Sequence, residues 1–186
     1  MVTTSQVKEL RVLTGAGVME CKRALQDSDG DVKKAVDILK QQGLAKAAKK
    51  VGRVASQGVV EPYVHAGGRI ASLVEINCET DFVARTPDFQ TLAHDVAMQV
   101  AAMDPRYVAE DDVPADAWDA LEREFGGRSQ ALAAVSLLDQ PFIKNPKLTI
   151  RDLANEAIAK LGENIIVRRF ARFEVGAGLP PAAADE

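Results

Sequence analysis

Apolar residues in the first quarter of the chain recur at the spacing of an amphipathic α-helix. Glycine-containing turns at 14–17 and 28–31 divide them into three stripes. The stripes are formed by Val7, Leu10 and Leu13, then by Val18, Cys21, Ala24 and Leu25, and then by Val32, Ala35, Val36 and Leu39. Because residues three and four positions apart share one side of a helix, residues 1–43 predict a small module of three packed helices.

Residues that favour helix ends mark the boundaries of this module. Thr4 or Ser5 is expected to cap the first helix and Asp31 the third, which Gly43 is expected to terminate. Met19 lies off the second stripe, so it either fills a gap in the small core or belongs to an adaptable contact surface. A trihelical unit with a glycine-rich first turn resembles ubiquitin-associated modules.

Three further segments follow the module. Four Lys or Arg residues lie within 44–53 without a wide apolar stripe, so we predict a basic, exposed and partly helical linker over 44–57. Residues 58–176 are predicted to form the body of the protein. Residues 177–186 are small and polar, which is typical of a flexible tail.

The body begins and ends with strand patterns. Residues 59–64 and 70–76 are β-prone and flank a turn at 65–69, which predicts an antiparallel hairpin. A third strand is predicted over 164–175, with one apolar face. That face is formed by Ile165, Val167, Ala171, Phe173 and Val175. Arg169 interrupts this face, and we expect it to pair with a carboxylate or to lie at a subunit seam, because an unpaired buried Arg is costly.

Helical periodicity returns between these strands. It predicts a helix that begins at Pro87 and ends before Asp104, an acidic amphipathic helix after Pro114, and a helix over 149–162. Residues 128–148 are predicted to form a short helix and then a loop. The predicted fold class is therefore α+β, with an N-terminal three-helix module followed by a three-stranded antiparallel sheet packed with helices.

Composition and charge exclude several classes of protein. No apolar run approaches the roughly 20 residues of a membrane-spanning helix. Cys21 and Cys78 are too few and too far apart for a disulfide framework or a paired-cysteine metal site. Residues 1–53 carry 11 Lys and Arg against 6 Asp and Glu, whereas the rest carries 12 against 21, so direct nucleic-acid binding is not expected. The first residues show no export or import pattern, and we expect a cytoplasmic protein.

The junction at 77–85 stands out because catalytic motifs are missing elsewhere. The sequence shows neither a glycine-rich phosphate loop after a strand nor a nucleophile with a base, so we expect no enzymatic activity, metal or cofactor. Two interpretations of the junction remain open. Either Asp81 caps a turn and Phe82 folds back into the core, or Phe82 is an exposed anchor for a partner's pocket.

Four segments of the chain resemble the bacterial elongation factor Ts family. They are Thr14–Lys22, Lys46–Lys50, Asn77–Val83 and Gly162–Arg169. The resemblance implies a guanine-nucleotide exchange factor that promotes GDP release from the GTPase elongation factor Tu. It further implies that Asp81 and Phe82 insert near the nucleotide and its magnesium ion.

The resemblance also implies the contact residues and the assembly. The residues expected to contact elongation factor Tu are Arg11, Val18, Met19, Lys50, Thr80, Asp81, Phe82 and Val83. Longer family members carry two copies of the sheet-and-helix core and this chain carries one, so we expect a non-covalent homodimer built on the strand at 164–175. The alternative function is a ubiquitin-associated-like adaptor that binds a partner through Met19 and has no exchange activity.

Overall fold

The computed structural model describes residues 2–178, and within them the chain forms eight α-helices and five β-strands. The helices are α1 (Thr4–Thr14), α2 (Val18–Asp27), α3 (Val32–Ala48), α4 (Asp81–Ala84), α5 (Pro87–Met103), α6 (Trp118–Phe125), α7 (Arg128–Val135) and α8 (Ile150–Leu161). The strands are β1 (Gln57–Val64), β2 (Ile70–Cys78), β3 (Pro141–Phe142), β4 (Asn145–Thr149) and β5 (Ile166–Glu174). The predicted α+β class is confirmed, whereas most of the predicted tail at 177–186 lies outside the described residues.

Helices α1 to α3 enclose a small core of their own. Its buried side chains are Leu10, Cys21, Ala24, Leu25, Ala35 and Leu39. Asp31 caps α3 as predicted, because its carboxylate accepts a hydrogen bond from the Lys34 backbone N–H at 3.1 Å. The first helix is capped by Thr3 and not by Thr4 or Ser5, so it begins one or two residues earlier than predicted; Thr3 forms a reciprocal capping box with Gln6.

Gly43 does not end the third helix, so that prediction is wrong. Helix α3 continues through Gly43 to Ala48. A Cβ atom on Gly43 would lie 3.4 Å from the Cβ of Ala159 on α8, so the glycine allows the two helices to approach closely. Ala47, one turn further along α3, is buried in the core of the body. The three-helix module is thus packed directly against the body, and its treatment as a separate domain stays a prediction.

The main sheet has the strand order β1-β2-β5, and both pairs are antiparallel. The predicted hairpin of β1 and β2 is present. Helix α5 packs on one face of the sheet and buries Phe89, Val96 and Val100 against Val74 and Ile76 of β2. This packing places the largest core between the sheet and helices α5 and α8.

A bulge in β5 contradicts the predicted single apolar face. Glu75 pairs with Arg169 but Ile76 pairs with Val167, so Arg168 is an extra residue in the ladder. One extra residue moves all later side chains to the opposite face. Phe173 consequently lies on the exposed face of the sheet, while Arg172 turns toward α5, where its Nε donates to the Ala101 carbonyl at 3.0 Å.

Arg169 has the expected partner in an unexpected environment. Its Nε donates to Glu75 Oε2 at 2.6 Å, which confirms the predicted pairing with a carboxylate. Its side chain is 79% exposed, because the bulge places it on the outer face of the sheet. The prediction that it lies on a buried apolar side is therefore wrong.

The segment between α5 and α8 forms a third, smaller core. The acidic helix predicted after Pro114 is α6, and Arg128 of α7 lies 3.7 Å above the ring of Trp118. The loop predicted before residue 149 is instead the two-stranded hairpin of β3 and β4. Gln99 holds this hairpin, since its buried side chain accepts from the Ile143 N–H at 2.9 Å and donates to the Pro141 carbonyl at 3.1 Å.

Two broad properties hold for the described part of the chain. Among residues 2–178, no helix has both the length and the apolar character that a membrane span requires. Within the same residues, no three His, Cys, Asp or Glu side chains are grouped so that they could hold a metal ion.

Candidate partner-binding site

The junction between β2 and α5 is a tight turn that contains the four-residue helix α4. Thr80 is the N-cap of α4, because its Oγ1 accepts a hydrogen bond from the Val83 N–H at 3.4 Å. Asp81 is therefore the first helical residue and not the cap, contrary to one interpretation of the sequence. Its carboxylate pairs with Arg85 at 2.8 Å, and a negative charge suits the first turn of a helix.

Phe82 is exposed on this turn. Its side chain is 80% accessible to solvent, whereas Ala84, two residues later, is buried in the main core. The interpretation in which Phe82 folds back into the core is therefore wrong. A large aromatic side chain that is held outside the core on an ordered turn has the form of an anchor for a partner's pocket.

Glu163 fastens the turn to the end of α8. One carboxylate oxygen, Oε2, accepts hydrogen bonds from the backbone N–H groups of Glu79 and Thr80 at 3.1 and 3.0 Å. The other oxygen, Oε1, accepts from the Thr80 hydroxyl at 2.6 Å. A carboxylate that accepts three hydrogen bonds from one turn strongly restricts the conformation of that turn.

Glu79 and Asn164 reinforce the same connection in the opposite direction. Glu79 Oε1 accepts from the backbone N–H of Asn164 at 2.7 Å and lies 3.6 Å from the guanidinium of Arg53. The Asn164 amide donates to the Arg53 carbonyl at 2.8 Å. Three chain segments, around residues 53, 79 and 164, are thereby joined beside the exposed phenylalanine.

Cys78 lies directly behind the turn. Its thiol donates to the Thr80 carbonyl at 3.1 Å. Burial, and to a lesser degree the charge of Glu163, raise the pKa of this thiol above its ordinary value. Cys78 therefore remains a neutral thiol and acts as a packing residue under the turn.

Three residues predicted to contact a partner, Arg11, Val18 and Met19, lie at the turn between α1 and α2. Val18 and Met19 form the first turn of α2 and are 50% and 68% exposed, and Arg11 is exposed on the last turn of α1. The exposure of Met19 contradicts the interpretation in which it fills a gap in the core. Leu13 was expected in that core and is also exposed, together with Val12, so the apolar surface extends beyond the predicted residues.

The carboxylate of Glu20 ties this turn to α3. It accepts a hydrogen bond from the Gly17 backbone N–H at 3.1 Å and is paired with the Lys46 ammonium group. The hydrogen bond from Lys46 is the main reason why the pKa of Glu20 is held below its ordinary value. The α1–α2 turn is thus held in place from the C-terminal end of α3.

The predicted residues form two separate groups. Thr80 to Val83 share one turn, Val18 and Met19 share another, and Lys50 is half-buried just after α3. Within residues 2–178, no hydrogen bond or ion pair joins the two turns directly. They are connected indirectly, through the packing of α3 on α8 and through Lys160 of α8. The Lys160 side chain lies 3.7 Å from the Cβ position of Gly15 in the α1–α2 turn, and its ammonium lies 2.7 Å from Asp88 at the start of α5.

Sequence reasoning missed Glu163 as part of the site. The residue follows Gly162, whose left-handed conformation (φ 78°) ends α8 as predicted, so a loop position was evident. Its partners, however, lie 83 and 84 residues earlier in the chain. No local pattern identifies a pairing over that distance.

A family model and individual relatives of this chain carry the same family name. A family model described as "Elongation factor TS" matches residues 44–130. A relative named elongation factor Ts from Carboxydothermus hydrogenoformans is 53% identical and is aligned over 100% of this chain and 94% of its own length. Relatives with the same name from Heliobacterium modesticaldum and Caldanaerobacter subterraneus are 52% and 47% identical, over 100% and 96% of this chain and 95% and 99% of their own lengths.

Identity of this extent over the whole chain covers the three-helix module, the Phe82 turn and the segment of Glu163 together. The chain therefore belongs to the elongation factor Ts family, a family of translation elongation factors.

Proposed function

We propose that this chain is a guanine-nucleotide exchange factor that promotes release of GDP from elongation factor Tu in the cytoplasm. The observation that carries the proposal is Phe82, which is 80% exposed on a turn fastened by several hydrogen bonds. Membership of the elongation factor Ts family supports it independently. The chain acts on the GTPase through binding, and no catalytic group of its own is required.

Phe82 is proposed to enter the GTPase beside its nucleotide and magnesium site. Full burial of such a side chain is worth about 1.5–3 kcal/mol, which is available only when the partner opens a pocket for it. Asp81 brings a negative charge to the same place, and Thr80 and Val83 flank the contact. If an exchange protein binds the nucleotide-free GTPase more tightly than the GDP form, its binding must reduce the affinity of the GTPase for GDP by the same ratio.

The three-helix module is proposed to supply a second contact. Met19 and Val18 form its apolar centre, Arg11 adds positive charge at the end of α1, and Lys50 adds positive charge just after α3. Since α3 packs directly on α8, the two contacts are parts of one packed chain. Binding at one contact therefore raises the effective concentration of the other at its own site on the partner.

We also propose that the outer face of the main sheet pairs with a second copy of the chain. Two rows of paired residues cross this face, Pro62 with Leu73 and Ala171, and Val64 with Ala71 and Phe173. Val64 and Phe173 are 63% and 66% exposed. An exposed apolar patch of this kind marks an interaction surface, and a symmetric copy offers the same patch.

The exchange proposal is tested by stopped-flow measurement of the release of fluorescent GDP from elongation factor Tu. Phe82→Ala should slow the stimulated release at least about tenfold, the equivalent of about 1.4 kcal/mol, because the anchor is lost. Ile143→Ala is the matched control, since it also removes exposed apolar atoms but lies on the β3–β4 hairpin. Release as fast with Phe82→Ala as with the native chain contradicts the proposal.

A capture experiment separates exchange from the adaptor alternative. Immobilised chain should retain elongation factor Tu and lose it when excess GDP is added, because GDP and an exchange factor compete through the same conformational equilibrium. An adaptor that binds through Met19 alone would retain its partner regardless of GDP.

A further inference from the structure

Glu163 connects the end of α8 to the turn that presents Phe82. Among residues 2–178, its carboxylate accepts hydrogen bonds from this turn alone: two from backbone N–H groups, of Glu79 and Thr80, and one from the Thr80 hydroxyl. The residue lies at the start of the loop between Gly162 and β5, and it is half-buried. The Glu163 side chain therefore stabilises the turn that presents Phe82 and not the loop to which Glu163 belongs.

The carboxylate controls the cap of α4. The Thr80 hydroxyl donates its hydrogen to Glu163, which leaves its oxygen lone pairs oriented to accept from the Val83 N–H. Helix α4 has only four residues, and a helix of that length has too few internal hydrogen bonds to be stable alone. Its orientation, and with it the direction of Phe82, depends on contacts from outside the turn.

We propose that Glu163 is a positioning residue for nucleotide exchange, which holds the Thr80 cap so that Phe82 is presented in its binding orientation. This inference rests on the proposed exchange function. Without the carboxylate the turn samples several conformations, and the apparent affinity falls in proportion to the fraction that is competent to bind. Glu163→Ala is expected to reduce the rate of stimulated GDP release at subsaturating factor at least about tenfold.

A double-mutant cycle distinguishes positioning from a general structural role. Release of fluorescent GDP from elongation factor Tu is measured with the native chain, Glu163→Ala, Phe82→Ala and the double variant. If Glu163 acts through Phe82, Glu163→Ala slows release in the native chain and causes no further slowing in the Phe82→Ala background. The same slowing in both backgrounds overturns the proposal.

A conservative variant and a measurement of amide hydrogen exchange complete the test. Glu163→Gln should retain most of the activity, because its amide oxygen can accept from both N–H groups and its NH₂ can donate to the Thr80 oxygen. Amide hydrogen exchange at Glu79 and Thr80 should accelerate in Glu163→Ala but not in Glu163→Gln. Glu156→Ala is the control, since Glu156 lies on α8 and, among the described residues, makes no hydrogen bond with the turn. If the rate of amide hydrogen exchange at Glu79 and Thr80 is unchanged in Glu163→Ala, the proposal is overturned.

Failure of the positioning role and failure of the exchange function give different results. If Glu163→Ala does not fold, Thr80→Val takes its place in the cycle; it removes the hydroxyl's hydrogen bonds with Glu163 and with the Val83 N–H and keeps the two backbone N–H bonds to Glu163. If Phe82→Ala slows release and Glu163→Ala does not, the role of Glu163 is refuted and the exchange function stands. If Phe82→Ala is as fast as the native chain, both are refuted.

Discussion

The packing of α3 on α8 at Gly43 leads to a prediction that joins stability to function. A glycine inside a helix costs about 0.5–1 kcal/mol relative to alanine. In Gly43→Ala the new Cβ lies 3.4 Å from the Cβ of Ala159, a contact that a small shift relieves. We therefore expect Gly43→Ala to change the free energy of unfolding by between zero and about 1 kcal/mol in the stabilising direction.

A leucine at the same position should have the opposite effect. Its three further carbon atoms cannot fit between α3 and α8, and overpacking costs about 1–3 kcal/mol, which exceeds the gain in helix propensity of about 0.5–1 kcal/mol. Gly43→Leu should lower the free energy of unfolding by about 1–2 kcal/mol. Gln41→Leu is the matched control, because residue 41 is exposed on the same helix.

Urea unfolding and GDP release test this prediction together. If the helix contact holds the two partner surfaces in register, Gly43→Leu should raise the factor concentration that gives half-maximal release of GDP and leave the maximal rate unchanged, because Phe82 itself is untouched. If Gly43→Leu is as stable as Gly43→Ala, the close approach of α3 and α8 is wrong. If the half-maximal concentration does not change, the two contacts do not depend on a fixed arrangement.

Two further predictions concern assembly and pH. Light scattering should give the native chain a mass near twice its 20.0 kDa. Phe173→Asp should return the mass to the monomer value, since burial of the outer face of the sheet would then bury a charge. A mass of one chain for the native protein at micromolar concentration contradicts the proposed dimer. Because Lys46 lowers the pKa of Glu20 in the folded chain, the stability that this carboxylate adds is present above the ordinary Glu value of 4.5 and is lost as the pH falls through the lowered one. The difference in unfolding free energy between the native chain and Glu20→Gln should therefore be present at neutral pH and shrink in acid, and a difference independent of pH would refute it.

The helices of the body could be predicted from the sequence because local signals coincide with the tertiary packing. Helix α5 has Thr86 as its cap, Pro87 at its first position and a continuous apolar stripe behind them. The hairpin of β1 and β2 and the ends of α8 were evident for the same reason. In each case the residues that decide the element lie within it.

The errors occur where a distant segment decides the structure. The face of β5 changes because its register against β2 contains an extra residue, which no feature of the β5 sequence reveals. Gly43 is a packing residue and not a helix end because Ala159 lies opposite it. Glu163 has no recognisable role in its own segment of the sequence, since that role depends on a turn more than 80 residues earlier.

Two exposed phenylalanines in this chain call for different partners, because their surroundings differ in shape. Phe82 projects from a short turn, which suits insertion into a pocket, whereas Phe173 lies on a sheet face in a row with Val64 and Ala71, which suits the face of a second sheet. Ala71 and Cys78 are seven residues apart on β2, a separation of about 23 Å at the usual rise of a strand. Phe173 and Phe82 thus lie toward opposite ends of β2, so the proposed pairing of two chains through Phe173 does not require Phe82 as a contact.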